Sequence, residues 1–171
     1  PTKFYNDEIK QMGNEAEELF LRATKEIIHD QEECGIDIIT DGEVRRENYI
    51  HYHCRHLEGI DFNNLTKKIA RTGNYECWLP TIINKIEPKD SFLVHDWKVA
   101  QKFSKKPVKI TIPGPMTITD TIANKFYSSN KDLGQLITNA TVYLECWMTI
   151  AKIKQLIAQD NNRKAFFSEY Q

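Results

Sequence analysis

A long amphipathic pattern that ends at a glycine and passes directly into an apolar run constrains the fold of this chain most. From about Asn6 to Glu33, apolar residues recur at steps of three and four, which is the period of one helix face. Gly35 can take the left-handed conformation that ends helices. Residues 36–40 follow as a mostly apolar strand. This order of helix, glycine and buried strand predicts an α/β unit.

A second unit of the same kind follows later in the chain. Asp90 or Ser91 is a candidate N-cap for a helix that runs to about Phe103, and residues 108–112 predict a second strand. More than sixty residues separate the two strands. Because each strand follows a helix and precedes an irregular segment, we expect successive units of a parallel barrel. An open doubly wound sheet is the alternative.

The length and the net charge of the chain limit the functions that it can have. The 171 residues suit a single domain over 1–171, whereas a complete parallel barrel takes roughly 250 residues. The formal net charge of -1 does not indicate nucleic acid or a membrane surface as a partner. No apolar run approaches the roughly 18 residues of a membrane span, and no basic-then-apolar segment opens the chain. We therefore expect a cytoplasmic protein.

The polar residues just after the first predicted strand are the best candidates for chemistry. Asp41, Gly42 and Glu43 lie at a strand's carboxyl end, where α/β folds place their sites. Glu43 follows a glycine that lets the backbone approach a ligand, and its carboxylate can hold an ammonium group or act as a general base. The alternative is a loop carboxylate paired with Arg45 or Arg46.

Two further segments carry candidate groups. The stretch 59–84 predicts a βα loop elaborated into a hairpin or lid, in which Trp78 is a candidate for stacking on a flat ring, whereas Trp97 is more typical of a core. His51, His53, Cys54 and His56 invite a metal, but their spacing does not suit a closed structural site, and we assign no metal ligand. The four cysteines lack CxxC pairs and are interpreted as reduced thiols.

Two motifs resemble one family. Residues 34–47 and 108–118 are similar to the C-terminal catalytic barrel of the cobalamin-independent methionine synthases. With the loop between them, the resemblance is strongest over residues 15–125. It implies a partial TIM (β/α)₈ barrel of the methionine synthase and uroporphyrinogen decarboxylase-like type.

The resemblance implies a methyltransferase of methionine biosynthesis that moves a methyl group from a methylated folate to the sulfur of homocysteine. Zinc in this family binds the thiol as a thiolate. Glu43 matches the glutamate that holds the amino group of the amino-acid substrate, and Asp41 precedes it as in several short homologues. Cys77 and Trp78 match the loop on the folate side.

The chain departs from the family pattern in several places. The Gly-Ser-Phe-Pro motif would lie before Pro1 and the zinc ligands after Gln171, so we expect a barrel truncated at both ends, without independent turnover. Glu76 stands where the family often carries arginine, and residues 141–171 have diverged. We therefore assign no catalytic residue.

Two alternatives stay open. One is a uroporphyrinogen decarboxylase-like barrel that acts on a tetrapyrrole. The other is a catalytically inactive fragment that binds a small ligand or another chain, because the open edges of a partial barrel favour self-association.

Overall fold

The computed structural model describes residues 5–70, 75–89 and 92–137, which form both helices and strands. In chain order the elements are α1 (Tyr5–Met12), α2 (Asn14–Glu33), β1 (Ile39–Thr40), α3 (His51–Arg55), β2 (Ile60–Ala70), β3 (Tyr75–Ile82), α4 (Leu93–Phe103), β4 (Val108–Lys109), α5 (Pro115–Thr121), β5 (Ala123–Asn124) and α6 (Asn130–Ile137). The predicted cap at Asp90 or Ser91 and the stretch 141–171 lie outside the described residues.

Strands β1 and β4 are parallel neighbours, as expected for two successive units. Ile39 pairs with Val108, and Thr40 pairs with Lys109. Helices α2 and α4 pack behind this pair, and the indole nitrogen of Trp97 donates to the Val108 carbonyl at 3.1 Å. Trp97 is therefore a core residue, as predicted. This core consists of Ile28, Ile39, Trp97, Ala100 and Val108, with Phe103 and Ile110 packed against it.

The hairpin predicted between residues 59 and 84 is also present. Strands β2 and β3 are antiparallel, with partners from Ile60 opposite Ile82 to Ala70 opposite Tyr75, and β5 joins the free edge of β3 in parallel. Helices α3, α5 and α6 pack against this second sheet. Its core consists of Ile50, Cys54, Leu57, Ile82, Ile86, Ile118, Ile122, Leu133 and Ile137.

The predicted single helix from Asn6 to Glu33 is wrong in its continuity. Gly13 separates α1 from α2, with a φ of 55° and a ψ of -127° that no helix contains. An amphipathic period does not reveal such a break, because the apolar positions keep their spacing across it. Of the described helices, none combines the length and the apolar character needed to cross a membrane.

Both predicted strands are shorter than the apolar runs that suggested them. The Ile36 amide donates to the Gln31 carbonyl at 3.0 Å and so caps the end of α2, and Ile36 and Ile38 are more than two-fifths exposed. On the edge of β1 away from β4, the Gln31 side chain replaces a strand. Its amide nitrogen donates to the Thr40 carbonyl at 3.0 Å, and its oxygen accepts from the Thr40 amide at 2.9 Å.

A polar network that is buried at Asp96 and reaches the surface at Glu17 ties three helices to the loop that follows β1. The Tyr52 hydroxyl of α3 donates to the Asp96 carboxylate of α4 at 3.1 Å. The Arg45 guanidinium lies 4.0 Å from the same carboxylate and forms two hydrogen bonds, of 2.8 and 2.6 Å, with Glu17 of α2. Burial raises the pKa of Asp96 to about 6, against the opposing effects of Tyr52, Arg45 and Arg46.

Gly59 at the start of the hairpin is expected to tolerate no side chain. Its φ is 84°, and a Cβ atom there would lie 2.4 Å from the Lys85 carbonyl oxygen. Gly35 has a φ of 78°, but a Cβ atom added there would have no atom within 4 Å. Gly35→Ala therefore measures the cost of the left-handed backbone alone, roughly 1–2 kcal/mol. Urea unfolding should show that Gly59→Ala lowers the free energy of unfolding clearly more than Gly35→Ala. Equal losses would mean that the close approach at Gly59 is absent.

The pKa of Asp96 predicts a pH-dependent stability. A folded-state value of about 6 exceeds the ordinary value of 3.8, so the folded chain binds the proton more tightly. The stabilisation is complete below about pH 4 and is lost as the pH rises towards 6. One pKa unit corresponds to about 1.4 kcal/mol. Between these limits, the free energy of unfolding of the wild type should therefore fall by on the order of 2 kcal/mol relative to that of Asp96→Asn. Parallel pH profiles in urea unfolding would contradict this prediction.

Candidate functional site

The loop that follows β1 is a tight turn built by short-range hydrogen bonds. The Gly42 amide donates to the Thr40 hydroxyl at 3.1 Å, and the Glu43 amide donates to the Asp41 carboxylate at 3.3 Å. The Arg46 amide then donates to the Glu43 carbonyl at 2.9 Å. Short polar side chains favour such turns because they bind the backbone two residues further on. The turn sets Glu43 at the carboxyl end of the strand.

Glu43 has an unusual backbone conformation. Apart from glycines, it is the only described residue with a positive φ, at 55°. For a residue with a Cβ atom, this region costs roughly 1–2 kcal/mol, and such strain persists only where neighbouring contacts enforce it. The Asp41 carboxylate and the turn to Arg46 supply those contacts. Strained residues of this kind cluster at functional sites.

Arg46 is buried beneath the loop and joins it to the end of β4. Its side chain is 1% exposed, and its Nη2 lies 3.7 Å from the Asp41 carboxylate. Its Nη1 lies 3.3 Å from Oε1 of Glu43 and donates to both the carbonyl and the hydroxyl of Thr111, at 3.1 and 2.9 Å. Nε and Nη2 have no hydrogen-bond partner among the described residues. One guanidinium therefore holds the ends of both parallel strands together.

The Glu43 carboxylate is partly held and partly accessible. The Thr111 hydroxyl donates to Oε1, the oxygen that also faces Arg46. The Glu43 side chain is 36% exposed, and no described residue forms a hydrogen bond with Oε2. The site thus presents a fixed anionic oxygen, which suits a cationic ligand such as an ammonium group. The predicted alternative, pairing with Arg46, coexists with this arrangement.

Asp41 lies behind Glu43 rather than beside it. Its side chain is 7% exposed and faces Arg46. Burial raises the pKa of Asp41, while the charge of Arg46 and the hydrogen bond from the Glu43 amide oppose the rise. Its contacts are those of an anchor for the loop and for Arg46.

The histidine and cysteine cluster does not converge on a point. His51 Nε2 lies 3.3 Å from the Thr121 carbonyl, whereas His53 Nδ1 lies 2.7 Å from the Tyr49 carbonyl. Cys54 is fully buried, and burial raises the pKa of its thiol to about 12. Within residues 5–70, 75–89 and 92–137, no group of three His, Cys, Asp or Glu side chains could hold a metal ion. The described residues therefore do not fit a zinc centre.

Cys77 and Trp78 lie on opposite faces of the hairpin, because successive strand residues alternate. Cys77 is opposite Lys68, whose ammonium reaches the Asp120 carbonyl at the end of α5 at 3.0 Å. Trp78 is 62% exposed and opposite Lys67. No hydrogen bond or ion pair of the described residues joins either residue to Glu43. The structure brings Asp41 and Glu43 together and leaves Cys77 and Trp78 on a separate element.

Thr111 is the site residue that the sequence interpretation missed. It lies two residues beyond the pairing of Thr40 with Lys109. Parallel strands end at the same edge, so the predicted pairing already placed the residues after Lys109 beside the loop that follows Thr40.

Comparison with known proteins identifies this architecture. Residues 2–142 match the family model described as the catalytic domain of cobalamin-independent synthase. A solved structure of a B12-independent methionine synthase from Shewanella sp. W3-18-1, in complex with selenomethionine, superposes with a TM-score of 0.74 at 29% identity. The superposition covers 81% of this chain and 40% of that one. The paired units are therefore part of a TIM-barrel fold, and an open doubly wound sheet is excluded.

Sequence relatives agree with the structural match. The methionine synthase of Sulfurisphaera tokodaii is 33% identical over 125 residues, which cover 72% of this chain and 36% of the relative. That of Saccharolobus solfataricus is 31% identical over 125 residues, which cover 72% and 37%. The chain spans about a third of the length of these relatives. Together with the family match over residues 2–142, these likenesses show that the chain belongs to the cobalamin-independent synthase family and comprises part of its catalytic domain.

Proposed function

We propose that this chain is the part of a cobalamin-independent methionine synthase that binds the α-ammonium group of the amino-acid substrate. Glu43 is the binding group, and Asp41 supports it through Arg46. The observation that carries the proposal is the Glu43 carboxylate itself, which is held through Oε1 by Thr111 and Arg46 and is 36% exposed.

The local chemistry supports an ammonium ligand over a proton-transfer role. A primary ammonium has three donors and no acceptor, so it suits a carboxylate oxygen that has no other donor. The selenomethionine in the Shewanella structure is an amino acid with such a group. A charged hydrogen bond at a partly desolvated position contributes roughly 1.5–3 kcal/mol.

The complete reaction proposed for the parent enzyme is methyl transfer from a methylated folate to the thiol of homocysteine, in methionine biosynthesis. Zinc, when bound in this family, makes the thiol nucleophilic near neutral pH. The described residues of this chain do not fit that metal, so their proposed share is to bind and orient the amino acid. Proximity of this kind lowers the barrier without taking part in bond making.

The hairpin is the proposed folate-side element. Trp78 presents an exposed ring that can stack on a flat heterocycle, and Cys77 lies on the face of β3 that is turned towards the end of α5. Within the proposed single domain 1–171, the hairpin and the Glu43 loop then serve different substrates. Self-association through open barrel edges stays a prediction, although Gln31 already covers one edge of β1 at Thr40.

The proposal predicts a specific loss of binding on neutralising Glu43. Isothermal titration of the full chain with L-selenomethionine should show that Glu43→Gln weakens binding about 10-fold or more, since one charged hydrogen bond is lost. Glu87→Gln is the matched control, because Glu87 is an exposed glutamate paired with Lys85. It should bind as the wild type does.

The result that contradicts the proposal is equal affinity of Glu43→Gln and the wild type. An equal loss in the Glu87→Gln control would also count against it, because the effect would then reflect net charge. Far-ultraviolet circular dichroism and the thermal midpoint of each variant separate loss of binding from loss of folding.

A further inference from the structure

Thr111 follows β4 and contacts both Arg46 and Glu43, which lie in the loop that follows β1. Its hydroxyl accepts from Arg46 Nη1 at 2.9 Å and donates to Oε1 of Glu43. Its carbonyl accepts from the same Arg46 nitrogen at 3.1 Å. The residue therefore touches the binding carboxylate directly while being held by the buried guanidinium.

The direction of these hydrogen bonds is fixed by chemistry. A guanidinium can only donate, so the Thr111 oxygen must act as an acceptor towards Arg46. An ionised carboxylate can only accept, so the single hydroxyl proton of Thr111 points to Glu43. Arg46 thus sets the orientation of the hydroxyl, and the hydroxyl sets the orientation of the carboxylate.

This relay acts on one carboxylate oxygen and leaves the other without a hydrogen bond from the described residues. Glu43 Oε1 receives the Thr111 hydroxyl and lies 3.3 Å from Arg46 Nη1. A glutamate side chain that is 36% exposed would otherwise sample several rotamers, and ordering it on binding would cost free energy. Because Oε1 is fixed, the Glu43 side chain is already ordered in the free protein, and binding does not carry this cost.

We propose that Thr111 is a positioning residue that makes this site selective for ligands bearing an α-ammonium group, by fixing the Glu43 carboxylate before the ligand arrives. The inference rests on the proposed function of Glu43 and adds a residue that follows the neighbouring strand β4. Because Thr111 follows β4 and Glu43 follows β1, the selective site forms only when the two strands are paired.

The experiment measures binding of two ligands to the full chain by isothermal titration. The ligands are L-methionine and the same molecule lacking its α-amino group. The variants are Thr111→Val, Thr111→Ser and Glu43→Gln, each alone, and the double variant Glu43→Gln with Thr111→Val. Thr24→Val is the control, since the Thr24 hydroxyl is buried and donates to the Phe20 carbonyl of its own helix at 2.7 Å.

Thr111→Val should weaken L-methionine binding about 5- to 10-fold and leave binding of the ligand without the amino group unchanged. Thr111→Ser keeps the hydroxyl and should bind within about twofold of the wild type. The double variant should bind no more weakly than Glu43→Gln alone, because the two residues act through one contact. Arg46 retains the Thr111 carbonyl in every variant, so the loop keeps one of its anchors.

Different failures are distinguishable. Weaker binding in Glu43→Gln with unchanged binding in Thr111→Val contradicts the role of Thr111 alone. Equal losses for both ligands, or equal losses in Thr111→Val and Thr111→Ser, indicate a purely structural role and also overturn the inference. L-Methionine binding that is absent from the wild type, or unaffected by Glu43→Gln, contradicts the proposed function and this inference with it.

Discussion

The buried guanidinium of Arg46 joins the two strand ends on which the site depends. With 1% of its side chain exposed, it faces the carboxylates of Asp41 and Glu43 and donates twice to Thr111. A buried cation needs such partners, because an unpaired charge in the interior costs several kcal/mol. Removing any one acceptor would therefore disturb the others. The loop after β1 and the end of β4 form one unit around this charge.

The same arrangement explains why a strained residue carries the proposed chemistry. Glu43 has a positive φ, which its surroundings must enforce. The Asp41 carboxylate receives its amide, Arg46 closes the following turn, and Thr111 holds its side chain. In this way the sequence Asp-Gly-Glu with an arginine three residues on places one carboxylate at a defined edge. The hairpin that carries Trp78 is a separate element, which contacts the end of α5 through Lys68.

Much of the architecture follows from local signals. Apolar periodicity predicted the helix that contains α2, and Gly35 marked its end. The two apolar runs indicated parallel neighbours, as the pairing of Ile39 with Val108 confirms. The break between α1 and α2 at Gly13 could not be predicted from the sequence, because an isolated glycine leaves the apolar period intact. The strand lengths could not be predicted either, since the Ile36 amide binds the Gln31 carbonyl beyond the end of α2 instead of a neighbouring strand. Glu43 was found through its position after a strand, whereas Thr111 acts through a hydrogen bond between distant segments, which no local pattern encodes.

In the proposed function, Glu43 holds the ammonium group of an amino-acid ligand. The most direct measurement is a crystal structure of the chain with L-selenomethionine, in which the anomalous signal of selenium locates the ligand independently of its orientation. We expect the ligand nitrogen about 3 Å from Oε2 of Glu43, with Oε1 still bound to the Thr111 hydroxyl. A ligand bound elsewhere, or one whose ammonium group points away from Glu43, would contradict it.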